Sequence, residues 1–419
     1  MNAQPTTATD RLLDWLGLKR NIMVMLVTIL IIGMGEELWT RFVPKYLELL
    51  GASAWIIACY GTLKDILDAL YQYPGGWLAD KFGRRIALII FIWLAIFGYI
   101  LYLISQSWWL VIIGTFFVMS WSSLTLPAIF AIIGDNLPKS RRVIGFSMQS
   151  ILKRIPIVLA PPVGGAVIAY LSLRSGDRAG FLTGTRFCLA ITIILSLLSI
   201  FIVRKYYVEK REAVNDSLRL SDIWRNMNKQ LKRLLVSDIL ARWAEGIPKV
   251  FIVLYLFNIL KVDAFKFGWL TSIQMLTAII IYIPIAKLAD ITERKPFVLL
   301  TFIFFALFPL IIVTADKFAP LTIGMILAFI TAGLREIGEP ARKALIVDLA
   351  QSDARARAVG VYYLVRGFIV FPASLVGGLL WNIRPEYPFY IAFIIGTIGV
   401  IVYAISGPGG KIKPESVKE

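Results

Sequence analysis

The chain has 419 residues, 58% of them hydrophobic, and a mean hydropathy of +0.74, more apolar surface than a water-soluble domain of this size can bury. Its formal net charge of +17 would suit nucleic acid, but Lys and Arg collect in the short breaks between apolar runs instead of on one soluble face, so anionic lipid headgroups are the expected partners and nucleic acid is excluded. With no histidine, imidazole metal sites and histidine-based nucleophilic triads are excluded, and any proton coupling must use carboxylates.

The start, MNAQPTTATDRLLDWLGLKRN, lacks the layout of a signal peptide and reads as a cytoplasmic tail over 1–21 carrying a short surface helix. Apolar, helix-compatible runs follow at about 22–50, 54–79, 86–105, 108–135, 140–171 and 182–203, then at about 233–259, 265–290, 296–314, 319–349, 356–382 and 387–406. These are about twelve crossings in two sets of six, an all-α membrane protein with bundles over 22–203 and 233–406. Between them, 204–232 is charged, but Leu220, Ile223, Trp224, Met227 and Leu231 recur at helical spacing, which predicts a cytoplasmic linker with an interfacial helix. A tail over 407–419 ends the chain. Basic residues at Lys19–Arg20, Lys81–Arg85, Lys139–Arg142, Arg204–Arg233, Arg294–Lys295, Arg355–Arg357 and Lys411–Lys413 alternate with poorer breaks, which places both termini in the cytoplasm, at the inner (cell) membrane. Cys59 and Cys188 lie within apolar runs, so no disulfide framework is expected.

Between the second and third runs stands GWLADKFGRR, Gly76 to Arg85, read as a very short loop on one membrane face, with Gly83 permitting a tight reversal. Its pattern, Gly76, Asp80, Gly83, Arg84 and Arg85, resembles the loop between the second and third helices of the major facilitator superfamily of secondary transporters. The resemblance implies twelve transmembrane helices in two pseudo-symmetric six-helix bundles. An internal repeat agrees with it. Glu37 with Val43-Pro44-Lys45 is echoed by Glu245 with Ile247-Pro248-Lys249, and the loop by Ala286 to Asp290 with Arg294-Lys295, Ala286 and Glu293 replacing glycines. Pro127 and Asp135 match Pro340 and Asp348, and Gly164-Gly165 match Gly377-Gly378.

A charge in mid-membrane costs roughly 2.5–3.5 kcal/mol on insertion scales, so clustered charges need partners or water. Glu37, Arg41 and Lys45 recur every four residues and are predicted to share a face of the first helix, with Glu36 beside them. Arg242, Glu245 and Lys249 repeat the pattern in the seventh, while Arg335, Glu336, Glu339 and Arg342–Lys343 crowd the tenth. Asp65 and Asp68 in the second, Lys153–Arg154 in the fifth and Arg366 in the eleventh complete the set. In the resembling family the first, fourth, seventh and tenth helices line the central path. Glu36, Glu37, Glu245, Glu336 and Glu339 are then candidates for proton uptake, and Arg41, Arg154, Arg335 and Arg366 for holding an anionic group. For each residue alone, a helix-tying salt bridge or a snorkelling charge is the competing account.

The resemblance also implies a cytoplasmic gate. Asp80 would cap the helix beginning near Arg355, and Arg84 would pair with Asp135; by the repeat, Arg294 would pair with Asp348 and Asp290 stand for Asp80. Ala160-Pro161-Pro162-Val163-Gly164-Gly165 partly matches the family's antiporter motif, whereas Trp109–Ser120 lacks the arginine the family carries in its fourth helix. No phosphate-cradling loop or zinc pattern is present, so neither an enzyme nor an ATP-driven pump is expected, and no cofactor. The resulting expectation is a monomeric secondary transporter moving a small organic solute by proton-coupled antiport. Uptake or exchange of an anionic metabolite is the alternative, and a membrane sensor or scaffold the alternative of another class.

Overall fold

The computed structural model describes residues 20–125, 129, 142–208, 227–291, 293–318, 320–349 and 355–408, and every regular element among them is a helix. In order these are α1 (Arg20–Glu37), α2 (Val43–Leu49), α3 (Ala54–Phe82), α4 (Arg84–Ile104), α5 (Trp108–Met119), α6 (Arg142–Ser175) and α7 (Asp177–Tyr206). After the linker come α8 (Lys229–Gly246), α9 (Phe251–Leu254), α10 (Ala264–Ile291), α11 (Lys295–Phe318), α12 (Leu321–Leu334), α13 (Glu339–Leu349), α14 (Arg355–Val370), α15 (Ala373–Ile383) and α16 (Tyr387–Ser406). Among the described residues, eight helical stretches are long and apolar enough to cross a membrane, and Trp108–Leu124 and Leu321–Leu334 are shorter apolar helices. Large apolar side chains such as Trp93, Phe97, Ile194, Ile280, Ile401 and Ile405 point outward, as a lipid-facing surface requires.

The motif Gly76–Arg85 is mostly not a loop. α3 runs to Phe82 and α4 begins at Arg84, so the reversal falls on Gly83 alone. Its φ of +89° lies in the left-handed region, where a side chain would be strained.

The chain divides into two compact units. One comprises Met1–Gly51, Leu67–Asp216 and Asp263–Gly268; the other Ala52–Ile66, Ser217–Val262 and Trp269–Glu419. In the first, α1 packs on α6 and α7, α4 packs on α5 and α7, and α6 packs on α7. In the second, α8 packs on α14 and α16, α11 packs on α12 and α16, and α15 packs on α16. These are the same pairings in the same chain order, so the repeat legible in the sequence is a repeat of helix packing. Phe91, Tyr99 and Leu189 are buried in the first unit; Leu231, Phe302, Tyr362 and Tyr403 belong to the core of the second.

Several helices break, and a proline stands at each break. α1 ends at Glu37, a single 3-10 turn spans Thr40–Phe42, and Pro44 is the second residue of α2. α8 ends at Gly246, with Pro248 in the turn before α9. α12 ends at Leu334, Pro340 opens α13, and Pro372 caps α15. Proline has no N–H to donate and its ring crowds the preceding turn, which favours a break with freed backbone carbonyls at these points, whereas Pro74, Pro156, Pro161, Pro162, Pro284 and Pro309 stand inside continuous helices. Paired glycines accommodate two of these breaks. A Cβ on Gly164 would lie 1.9 Å from the Leu38 carbonyl oxygen, and one on Gly377 2.1 Å from that of Ile247. The close approach accounts for the glycine pairs of the antiporter-like segment and of its repeat in packing terms.

Candidate functional site

The breaks redistribute the charges. Lys45 does not share a helix with Glu37; it lies on α2 and pairs with Glu48 at 2.6 Å, while Arg41, at the 3-10 turn, still reaches Glu37 at 3.1 Å. Likewise Lys249 leaves the face of Arg242 and Glu245, falls in the turn after α8 and pairs with Asp65 at 2.6 Å. The continuous faces expected from four-residue spacing are therefore corrected: each ends where the proline stops the helix.

In the second unit the charges form one network centred on a residue outside the expected set, Asp238. Its Oδ2 accepts from Arg342 Nη1 at 2.7 Å, the Tyr362 hydroxyl at 2.9 Å and Arg366 Nη1 at 3.2 Å, and its side chain is 1% exposed. Arg342 Nη2 donates to Glu339 at 2.7 Å, and Arg242 joins Glu339 at 2.5 Å to Glu245 at 2.8 Å. Arg335 reaches Glu245 at 3.6 Å. Aromatic faces support the cations: Arg242 and Arg335 stand over Phe305 at 4.9 and 5.0 Å, and Arg366 over Tyr363 at 4.6 Å. Asp238 Oδ1 and Arg242 Nε face each other at 3.7 Å and neither has a hydrogen-bond partner. Of the expected residues, the fold brings Glu245, Arg335, Glu339 and Arg366 together, with Glu336 in the turn between α12 and α13. Asp238 is the omission; its signal was its place one helical turn before Arg242.

In the first unit, Glu36 accepts from the Tyr99 hydroxyl at 2.6 Å, and with Glu37 it lines a cavity of about 80 Å³. Trp121, Ser122, Lys153 and Pro156 contribute to the wall, together with the apolar Ile29, Gly33, Ile129 and Ile157. Trp121 and Ser122 belong to a π-turn, Ser120–Leu124, that ends the α5 stretch and turns these side chains from the regular helical register. Asp68 accepts from Ser123 Oγ at 2.9 Å in the same turn, and Arg154, half-buried, stands one residue beyond Lys153 outside the cavity lining.

Among the expected gate residues, Arg84 is buried and Arg85 donates to the Arg204 carbonyl. Arg294 is half-buried at the short link before α11. Gly76, Asp80, Asp290 and Asp348 fall within helices, but their side chains lie outside the described residues, and Asp135 lies outside them altogether.

Comparison with known proteins accords with this architecture. The chain is 23% identical over 413 residues to an uncharacterized MFS-type transporter of Methanocaldococcus jannaschii, covering 95% of this chain and 96% of that one. It is 23% identical over 399 residues to a multi-drug resistance efflux pump PmrA homolog of Lactococcus lactis subsp. lactis, covering 90% and 91%. Among solved structures, a bacterial homologue of the iron transporter ferroportin in an inward-facing state superposes with a TM-score of 0.73 at 15% identity over 93% of this chain and 99% of that one. The nucleoside transporter NupG does so with a TM-score of 0.73 at 14% identity, over 92% and 98%. The family model described as Major Facilitator Superfamily matches residues 25–238 and again 234–419, one match for each half, and with the repeated helix packing this shows that the chain belongs to the major facilitator superfamily.

Proposed function

We propose that this membrane transporter exports a small organic solute in exchange for protons, by alternating access. The observation that carries the reading is the first unit's cavity, where Glu36 and Glu37 meet the Trp121 ring and room for water among apolar helices. A proton and a solute can compete for these carboxylates, and competition for one site is sufficient for antiport. Export rather than uptake draws support from the efflux-pump relative and from the antiporter-like segment in α6.

The second unit's acids take a different part. Glu245 and Glu339 each hold two guanidinium groups, so protonating either would strand buried cations. We assign Asp238, Glu245 and Glu339, with Arg242, Arg335, Arg342 and Arg366, to holding α8, α13 and α14 together, with Glu336 at the adjoining turn. Asp80, Arg84 with Asp135, and Arg294 with Asp348 keep their gate roles as part of the proposal, as do Gly76, Gly83, Arg85 and Asp290. Both termini lie in the cytoplasm, on the basic side of the breaks. The alternative, exchange of an anionic metabolite, is favoured by four guanidinium groups facing three carboxylates in the second unit.

A pH jump on proteoliposomes separates the two. Solute movement driven by an opposed proton gradient, abolished in Glu36→Gln/Glu37→Gln, supports antiport. Electroneutral exchange of identical anions, indifferent to pH and to that double variant, would overturn it.

A further inference from the structure

We infer that a groove on the lipid-facing side of the first unit binds one acyl chain of a phospholipid, and that its occupancy reaches the Glu36–Glu37 cavity through the π-turn between them. The site goes beyond the carrier reading: an acyl chain binds there whichever solute the cavity takes.

The groove, about 420 Å³, is walled by Tyr71 of α3, Leu94 of α4, Ile113, Phe116 and Phe117 of α5, and Ser120 and Leu124 of the π-turn. That size falls within the range of small-molecule sites, roughly 300–1,000 Å³. It opens outward, since Ile113 and Phe116 are 45% and 44% exposed. Among the described residues no charged side chain lines it. The Tyr71 hydroxyl donates to the Phe116 carbonyl at 3.0 Å, and the one hydrogen of Ser120 Oγ lies between the carbonyls of Phe91 at 3.0 Å and Phe117 at 2.5 Å. Neither hydroxyl has a donor left for a ligand, so a charged or polar group would enter without a partner and a bare hydrocarbon chain would not.

Depth selects the same occupant. Leu94 is the midpoint of α4 (Arg84–Ile104), about 15 Å from either end at a rise of about 1.5 Å per residue, so the groove lies at hydrocarbon depth, below the headgroups. Trp93 and Phe97 point outward beside it, which makes the groove continuous with the lipid-facing surface. Lipid tails are as apolar as these walls, so the chain is held by packing: ordered side chains meet it on several sides, where a flat helix face meets it on one.

The π-turn Ser120–Leu124 is a wall shared by two spaces. Ser120 and Leu124 line the groove, while Trp121 and Ser122 line the cavity. Helix α3 packs directly on it: Ser123 Oγ donates to Asp68 at 2.9 Å, and a Cβ on Gly75 would lie 2.2 Å from the Leu124 carbonyl oxygen. A chain pressing on Ser120 and Leu124 has the cavity behind them as the yielding space, so occupancy narrows the room beside Ser122.

The test uses the full-length protein in dodecyl maltoside and a phosphatidylcholine carrying a mid-chain diazirine, with adducts mapped by mass spectrometry after photolysis. The expected result is labelling of Leu94, Ile113 and Phe116 that saturates, is competed by unlabelled phosphatidylcholine, and exceeds labelling of Ile194, another outward residue, by about tenfold. Ile113→Trp should fill the groove and lower labelling of Phe116 by about tenfold, whereas Ile194→Trp, which adds the same bulk to another outward position, should leave it unchanged. Saturating lipid should slow maleimide modification at Ser122→Cys by about threefold, and not when Ile113→Trp is also present. Labelling no higher than at Ile194, indifference to Ile113→Trp, or a native mass of two chains with these residues shielded from lipid would each overturn the acyl-chain site. An unchanged or faster reaction at Ser122→Cys would overturn the coupling to the cavity. None of these measurements requires transport, so failure of proton-driven exchange in proteoliposomes sinks the carrier reading alone.

Discussion

Asp238 illustrates why buried charge is costly to disturb and hard to foresee. With Arg342, Arg366 and Tyr362 on one oxygen, it neutralises guanidinium groups that have little access to water. Asp238→Asn should therefore destabilise the protein by about 3–5 kcal/mol, because the arginines stay buried without their counter-charge. Denaturant unfolding in detergent would show it, and adding Arg342→Gln should recover part of the loss. The pair Lys249–Asp65 is the opposite case: Lys249 is 48% exposed, so a double-mutant cycle should give a coupling below about 1 kcal/mol. Glu245, Arg335 and Glu339 were legible because a charge in an apolar run stands out. Asp238 stands in the same segment as Arg242 and Glu245, one turn before Arg242, but nothing in that local spacing tells that Arg342, Tyr362 and Arg366, far along the chain, converge on its carboxylate.

Helix periodicity marked helical stretches and misled about their faces. Counting by fours put Lys45 with Glu37 and Lys249 with Glu245, and the count fails wherever a proline stops the helix between them. The paired glycines give this level its tests. Gly164→Ala would press a methyl into the Leu38 carbonyl and Gly377→Ala into that of Ile247, so each should lower thermal stability, by about 1–3 kcal/mol or more. Gly51→Ala has a φ of +88° but open space around it, so it should cost only the backbone strain of about 1–2 kcal/mol. A melting series on the three variants checks the order. If Gly164→Ala and Gly377→Ala melt with wild type, the contact at the breaks is not tight enough to explain the glycines.

The two halves repeat one set of helix pairings although their sequences have diverged, which is why the repeat showed only as scattered matched residues. Packing tolerates exchange among apolar side chains of similar volume, whereas prolines, glycines and buried charges have few substitutes and persist as visible markers. The packing also sorts the cysteines. Cys188 is fully buried in the first unit and Cys59 is partly accessible, so a small maleimide should modify Cys59 in the native protein and Cys188 only after unfolding, as counted by mass spectrometry. Reporters fused at each end should both face the cytoplasm; a reporter found outside would reverse the orientation taken from the basic breaks.

By itself the sequence determined the membrane setting, the helical class, the two-half organisation and which side chains violate the apolar pattern, since each follows from composition and local order along the chain. Only the tertiary structure decided where the helices break, which charges neutralise one another and that Glu36, Glu37 and Lys153 line one cavity. Ion pairing and cavity lining depend on distances between residues far apart in the chain, and the periodicity of a single helix contains no such distance.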